Sequence, residues 1–481
     1  LRAKENAVDD SPASGITKRD FLHAAGCGLV GTALAVGTGC SAATGHHDED
    51  RGDAVGNPSD KAVLWQRRMP IRYKADVAVI GGGIAGVSAA CAAARSGAKV
   101  VLIERFAVTG GNMTAGGVGS FCGESAGQGE VFDEIIARLD QFGAVAPYKP
   151  YPDGDARIFN HEILAIVLQE MLLSRGVKLL LHTRFVDAIA DNGRLTHCIL
   201  CGKSGPEALC ARQFIDCSGE ADLARAAGFE IMKGRPEDGM QLPMSMMFFI
   251  RHVSAGDARA EVPESRFGKI EKREDLPMTS VWPNGPGGNA IKIKIPMFDS
   301  GDTESLTAAE IRARRRMMEV LDYYQRVEKK PWLLNHCSPM IGVREGRRVV
   351  GDYVLTVDDL RAGARFDDAV ARGVFYLDGH KPDDDKRTYI LPKDQLAVPP
   401  YQIPFRSLLA RDGRNLLVAG RCFSADQLAL SSARVSTTCA MMGQAAGIAA
   451  AKSALNDCDP RDLDYADVRR EVVSRGARLE A

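Results

Sequence analysis

Apolar positions recur along this chain with two different periods, and the places where the period changes mark its elements. Residues 76–80, Asp76-Val77-Ala78-Val79-Ile80, form a short apolar run of strand character. Six residues rich in glycine follow, and an alanine-rich stretch of helical character then runs to about Gly97. A second strand is predicted over 99–103, a helix over 160–175 and a strand over 177–182. Residues 184–216 read as strands folding back at Asp191-Asn192-Gly193 and again at 202–205. Further on, strands are predicted over 244–250 and 290–297, with a charged helix from Ser305 to about Lys329. Its apolar positions Leu306, Ile311, Met317 and Leu321 are expected to face a core. A last strand, ending at Ala419-Gly420, leads into a helix of small residues.

Strand, glycine turn and helix in that order have a chemical meaning. In Gly81-Gly82-Gly83-Ile84-Ala85-Gly86, Gly81 permits the tight turn and Gly83 lets a pyrophosphate approach the backbone. Gly86 lets the helix pack on the strand, and the phosphates would sit at the helix N-terminus. Glu104 ends the second strand 18 residues after Gly86, near the spacing of about 20 expected of an acid that binds ribose hydroxyls. Such an acid disfavours a 2'-phosphate, because two negative groups would meet in a partly dehydrated site. The bland alternative is a purely structural glycine turn.

Composition narrows the partners. The 481 residues suggest roughly three domain-sized units at about 150 residues each. With 61 Lys+Arg against 62 Asp+Glu, no global field favours nucleic acid or an anionic membrane. Twelve cysteines are scattered without the density of a disulfide scaffold. Cys198 and Cys201, with Cys210 and Cys217 downstream, are half of a zinc knuckle lacking its second pair, and no C-x2-C-x2-C run is present. Neither zinc nor an iron-sulfur cluster is expected, and no metal ligand is assigned.

At the N-terminus, Thr17-Lys18-Arg19-Asp20-Phe21-Leu22 precedes an apolar run over 24–40. This reads as an export signal and is too short and glycine-rich for a permanent transmembrane helix. It resembles a twin-arginine signal, with Lys18 in place of the first arginine. The sequence Gly37-Thr38-Gly39-Cys40 loosely resembles a lipoprotein box, so lipid attachment at Cys40 is a second reading. The expected location is periplasmic or cell-envelope. His46 and His47 lie in a charged stretch that reads as linker.

From Lys74 to Ser453 the chain resembles the FAD-dependent oxidoreductases related to the flavin subunit of heterodisulfide reductase, with fumarate reductase flavoproteins as more distant cousins. The resemblance rests first on Thr109-Gly110-Gly111-Asn112-Met113-Thr114, where the family wraps the flavin. Asp216-Cys217-Ser218-Gly219-Glu220-Ala221-Asp222-Leu223-Ala224 is similar to the family's D-A-T-G-D-A-D-L-A. Residues 342–348 resemble its G-V-R-E-S-R-R with Gly346 in place of serine, and Leu377-Asp378-Gly379-His380 its I-D-I-H. The closing segment, Asn415 to Cys422 with Arg434-Val435 and Gly443-Gln444, carries Thr437 where the family usually has proline.

The resemblance implies non-covalent FAD. Its phosphates and ribose would meet Gly81, Gly83, Ala85, Gly86, Glu104 and Arg105, and its ribityl and ring Gly110, Gly111, Asn112 and Thr114. It would place adenine beside the backbone of Val186 and bring Ser218, Gly219, Gly420, Arg421 and Gln444 to the cofactor. The expected fold is α/β, a Rossmann-like three-layer FAD/NAD(P)-binding domain with an inserted α+β substrate domain. The boundaries read are 1–45 export signal, 46–73 linker, 74–234 first FAD part, 235–411 substrate cap, 412–455 closing strand and helix, and 456–481 tail.

A flavin takes or gives hydride at N5, so the protein must supply orientation, a proton-transfer group and charge complementarity. His380 leads as the proton-transfer group, with a structural hydrogen bonder as the alternative. Arg344 follows as a clamp for a carboxylate or oxyanion, unless it pairs with Glu345 or a cofactor phosphate. Tyr353, His336 and Cys122 rank lower. No second GxGxxG stands between strand and helix, so no nicotinamide domain is expected, and electrons would pass to or from a quinone, cytochrome or other partner. The expected activity is hydride exchange with a small organic substrate. A redox-neutral flavin isomerase or lyase, and a non-catalytic electron-transfer subunit, stay open.

Overall fold

The computed structural model describes residues 65–152, 156–254 and 267–480. The expected export signal, Cys40, His46, His47 and most of the linker lie outside the described residues. The short apolar run predicted as the first strand is extended at its N-terminal side into β1 (Ile71–Ile80). It pairs in parallel with β2 (Val100–Ile103) on one side and β8 (Gly205–Asp216) on the other. The sheet continues from β2 to β5 (Lys178–Leu180), again in parallel. On its other flank, β6 (Arg184–Asp191), β7 (Arg194–Gly202) and β8 form an antiparallel meander. Asn192 and Gly193, both at positive φ, make the two-residue turn between β6 and β7 that twisted hairpins favour. Strand β8 is long enough to serve two neighbours. Its first half pairs with β7, and its last residues pair in parallel with β17 (Leu416–Val418).

Helix α1 (Ile84–Arg95) crosses between β1 and β2 and is nearly all small side chains. It packs on the last long helix, residues Ser436–Asn456. A Cβ on Gly443 would lie 2.1 Å from the Ala85 carbonyl oxygen, and one on Gly447 2.1 Å from that of Ala89. The helix pair can approach this closely only because those two positions are glycine. Between β2 and β5 lies the helix His161–Leu173, whose N-terminus is capped by the Asn160 side chain.

The second layer of structure is a four-stranded antiparallel sheet, order β11 (Thr279–Pro283), β12 (Gly288–Ile295), β10 (Met244–His252), β13 (Trp332–Cys337). Alternation gives it two distinct faces. Met244, Met246, Phe248, Ile291, Ile293 and Ile295 pack against the helix Thr303–Arg326. Ser245, Met247 and Lys292 point the other way and line the principal cavity. On that helix the buried stripe is Ala309, Ala313, Met317, Val320, Leu321 and Tyr324. Ile311, expected in the core, is instead half exposed. It lies two residues from both Ala309 and Ala313, on the opposite side of a 3.6-residue helix.

Of the segment read as cap, the antiparallel sheet uses only 244–337. Side chains from Val349, Leu360, Ala371, Tyr401 and Leu409 join the core around β1 and α1. The C-terminal helix Tyr465–Ser474 buries Val468 and Val472 in that same core. Residues from Met69 onward form one compact unit. Among the described residues no helix is long and apolar enough to cross a membrane.

Candidate active site

The C-terminal ends of β1, β2 and β8 open into a cleft of about 1710 Å³, its open mouth included, which runs from the parallel sheet to the underside of the antiparallel one. Open α/β sheets bind ligands at this edge. Three glycines divide the labour at its floor. Gly81, at φ +99, lies so close to the next strand that a Cβ would meet the Cys217 carbonyl at 2.5 Å. A Cβ on Gly86 would sit 1.9 Å from the Gly81 oxygen. At Gly83, by contrast, a Cβ would have no neighbour within 4 Å. Two glycines therefore serve packing, and the third leaves a space open to the cleft.

Helix α1 begins at this space with no side-chain cap and no acid in its first turn. Its free N–H groups and the positive end of its dipole face the cleft, an arrangement suited to phosphate. Glu104, buried, accepts hydrogen bonds from the Gly82 N–H (2.7 Å) and the Phe106 N–H (2.9 Å). Burial raises its pKa, and those two N–H groups work against the rise. Asp216 at the end of β8 accepts from the Ser218 N–H and hydroxyl and from the Leu223 and Ala224 N–H groups, fixing the turn that carries Ser218 and Gly219 into the wall.

The far end is built from the glycine loop, the antiparallel sheet and the helix Ser436–Asn456. The loop is tied to the sheet side by Asn112 Nδ2 donating to the Val343 carbonyl (2.9 Å) and by the Ser338 hydroxyl donating to that of Gly116 (3.1 Å). Among the described residues buried Asn112 Oδ1 has no hydrogen-bond partner, so it can accept from a bound group. The Ser436 helix also begins at the cleft with no side-chain cap. Thr437, where the resembled motif usually has proline, donates its hydroxyl to the Cys122 carbonyl (3.0 Å) and so fixes that helix start against the strand Ser120–Cys122.

Charge in the cleft is unbalanced. Arg105, Arg184, Lys292, Arg344, Arg421 and Arg434 line it against Glu104, Asp222 and Asp378. At the far end Asp378 is held by Arg434 Nη2 (2.9 Å) and His380 Nε2 (3.2 Å). Burial works to raise its pKa, but the His380 hydrogen bond and the charges of Arg434 and Arg344 outweigh it and hold the carboxyl well below the usual range. Burial lowers the imidazole of His380 despite Asp378. Arg344 donates to the Pro243 carbonyl (2.6 Å), and burial together with Arg434 brings its pKa down to about 10. Lys292 faces the same space with no carboxylate paired to it among the described residues. Burial and the nearby Arg344 bring its ammonium down to about 8, against the pull of Asp378.

Not all the residues expected from sequence reach the cleft. Gly81, Gly83, Ala85, Glu104, Arg105, Gly110, Gly111, Asn112, Ser218, Gly219, Gly420, Arg421 and Arg344 line the cleft. Gly86, Thr114 and Gln444 lie behind it. Thr114 donates to the Thr109 carbonyl, and Gln444 accepts from the Val131 N–H and donates to the Arg475 carbonyl. Val186 is half exposed where the β6–β7 register shifts, and the wall is made by Thr183, Arg184 and Phe185 just before it. His380 stands behind Asp378 with its ring stacked on Tyr389, so Asp378 and not His380 meets the cavity. Glu345 does not pair with Arg344. It is fully buried against Arg348 at 2.9 Å. Tyr353 donates to Asp359 in a helix cap, away from the cleft. Cys122 lines the cleft, its thiol pKa pushed up by burial. Cys198 is buried and Cys201 exposed, on a strand that turns them apart.

Lys292 escaped the sequence reading. Its signal was the alternation Ala290-Ile291-Lys292-Ile293-Lys294-Ile295, which places lysine on the face opposite the apolar one. Such a face is normally solvated, and only the tertiary fold makes it the roof of a cavity.

Gly346 and Glu220 depart together from the motifs that the two segments resemble. A Cβ there would lie 1.9 Å from a carboxylate oxygen of Glu220, which is buried and held by the Ser300 hydroxyl and Arg421. The resembled motifs have the shorter aspartate at 220 and serine at 346, and here the longer acid fills the space that a side chain at 346 would take. Gly346→Ser is expected to destabilise the protein by ~1–3 kcal/mol through overpacking. Adding Glu220→Asp should recover most of it in denaturant unfolding, and equal loss in single and double variants would refute the pairing.

A dinucleotide-binding α/β protein with a second sheet roofing its ligand cleft is thus what fold and site define. The family model described as FAD dependent oxidoreductase matches residues 76–472, and the chain belongs to that family. It is an enzyme of the oxidoreductase class. Several solved structures are similar over most of the chain. The anhydrotetracycline hydroxylase OxyS from Streptomyces rimosus is 14% identical, covering 84% of this chain and 67% of its own, with a TM-score of 0.44. A geranylgeranyl bacteriochlorophyll reductase-like protein from Thermoplasma acidophilum is 11% identical over 85% of both chains, TM-score 0.42. The myxobacterial chondrochloren halogenase CndH is 13% identical over 83% and 78%, TM-score 0.43.

Proposed function

We propose that the protein exchanges a hydride between a small anionic substrate and non-covalently bound FAD. The observation that carries this reading is the Lys292 amine, which no carboxylate pairs among the described residues, beside Arg344 at the cleft end bounded by the glycine loop. The open space at Gly83, the bare start of α1 and the orphaned Oδ1 of Asn112 fit the cofactor. Bound FAD would supply the hydride-accepting or hydride-donating centre at N5.

The chain's own residues supply the rest. Arg344, fixed by the Pro243 carbonyl, holds the anionic group of the substrate. Lys292 moves the proton, as a base through its neutral Nζ when the substrate is oxidised and as an acid when it is reduced. Asp378 keeps Arg434 and His380 in place, and His380 acts as a positioning residue through it. Met247, Trp282 and Met340 cover the site and limit water. The charged and apolar regions at 17–40 support export, and the lack of a second GxGxxG between strand and helix leaves a quinone, cytochrome, small acceptor or oxygen as the electron partner.

Anaerobic mixing with paired substrates that differ only in a carboxylate tests this. Carboxylates, and not their amides, are expected to bleach the flavin, and Arg344→Met should raise KM at least ~tenfold with a smaller effect on kcat. Equal bleaching by neutral analogues would overturn the anionic assignment. Turnover without net flavin reduction would select a redox-neutral reaction instead.

A further inference from the structure

Away from the cleft, His161 and Glu162 at the start of the helix His161–Leu173 meet His336 on β13. One ligand atom from each, two imidazole nitrogens and a carboxylate oxygen, lies within 4.8 Å of the other two. Phe249 on β10 organises the pair of imidazoles. Its ring is stacked at 4.9 Å from that of His161 and 4.3 Å from that of His336, and the two histidine rings are 6.0 Å apart. His161 is buried, so its orientation is set by packing, whereas Glu162 and His336 are exposed and open to an entering ion.

We propose that His161, Glu162 and His336 bind a divalent ion of the zinc class. Two neutral imidazoles and one carboxylate form the donor set that borderline metals such as zinc prefer, and three protein ligands leave a position for water. The positive end of the helix opposes a cation here, and the charge of Glu162, in the first turn, offsets it. The ion bridges two parts of the protein that are remote in sequence. Two ligands come from the crossover of the parallel sheet, and the third from an edge strand of the sheet that roofs the cleft. A Cβ at Gly117 would meet Ser338 Oγ at 2.2 Å and Met247 at 3.1 Å, with the Phe249 ring next at 3.2 Å, so the site stands one side chain behind the glycine loop. Binding fastens the roof at that point.

The test is calorimetric titration of the full-chain, FAD-loaded protein with zinc chloride after removal of metals. One equivalent is expected to bind, and His336→Asn and Glu162→Gln, both exposed positions, should each weaken that equivalent at least tenfold. Zinc-edge X-ray absorption should show a shell of nitrogen and oxygen, and melting of the wild type should move upward with zinc while that of His336→Asn should not. Absence of binding, equal binding by the variants, or sulfur in the shell, which would place the ion on cysteines such as the exposed Cys201, would each overturn the proposal.

Discussion

Gly83→Val is expected to give a folded protein that has lost its flavin. The substituted Cβ meets nothing within 4 Å, and Gly83 has the extended backbone of a helix N-cap, φ −64 and ψ 178, which valine adopts freely. The branched side chain therefore costs the fold little, but it stands where the pyrophosphate must approach the bare start of α1. FAD affinity should fall at least ~100-fold, equivalent to about 2.8 kcal/mol. Gly86→Ala makes the opposite error. Its Cβ would fall 1.9 Å from the Gly81 oxygen, so β1 and α1 must separate, with an expected loss of ~1–3 kcal/mol of stability. Equilibrium unfolding and the flavin content of the two purified variants distinguish the cases. A Gly83→Val protein that keeps wild-type FAD content would show that the cofactor does not lie across this turn.

Lys292→Met should remove most of the activity and with it one ionisation. Loss of a proton-transfer group costs ~100- to 10,000-fold in rate. In the wild type, kcat/KM for substrate oxidation should rise with pH to a plateau above about 8, because only the neutral amine accepts the proton. In the reducing direction the same group must be protonated, and the profile falls through that value. The variant should show neither inflection while retaining FAD. Stability gives a second readout. Burial holds the folded-state pKa near 8, below its ordinary 10.5, so the unfolded chain binds more protons between those values. Stability of the wild type therefore rises with pH across that window, and the contribution is lost again as pH falls through about 8. Lys292→Met should lack this slope, and a variant with the wild-type pH profile would contradict the assignment.

The cofactor half of the protein was legible in the sequence because its constraints are local. A strand, a turn that needs glycine, a helix and an acid at the end of the next strand are neighbours in the chain, so their spacing carries their geometry. The three-strand meander from Arg184 to Asp216 was readable for the same reason, each turn having its own signal. At the catalytic end the constraints are not local. His380 and Asp378 are two residues apart in a recognisable motif, yet which of them meets the cavity depends on Arg434 and Tyr389. Lys292 belongs to a strand with an ordinary amphipathic pattern, and its chemistry comes from what that strand roofs. Ile311 is a different case, because the helical period itself puts it on the side opposite the buried Ala309 and Ala313. The Glu220 and Gly346 departures were each visible singly, and their compensation appears only when the two positions meet in space.

Every role proposed for the cleft residues depends on FAD. The most direct measurement is the absorption spectrum of the purified full-length protein, before and after acid precipitation, with the supernatant analysed for flavin. The prediction is a flavin spectrum from the native protein and close to one equivalent of FAD released into the supernatant. A protein that stays colourless after incubation with FAD would contradict the cofactor site itself, and colour retained in the pellet would contradict its non-covalent binding.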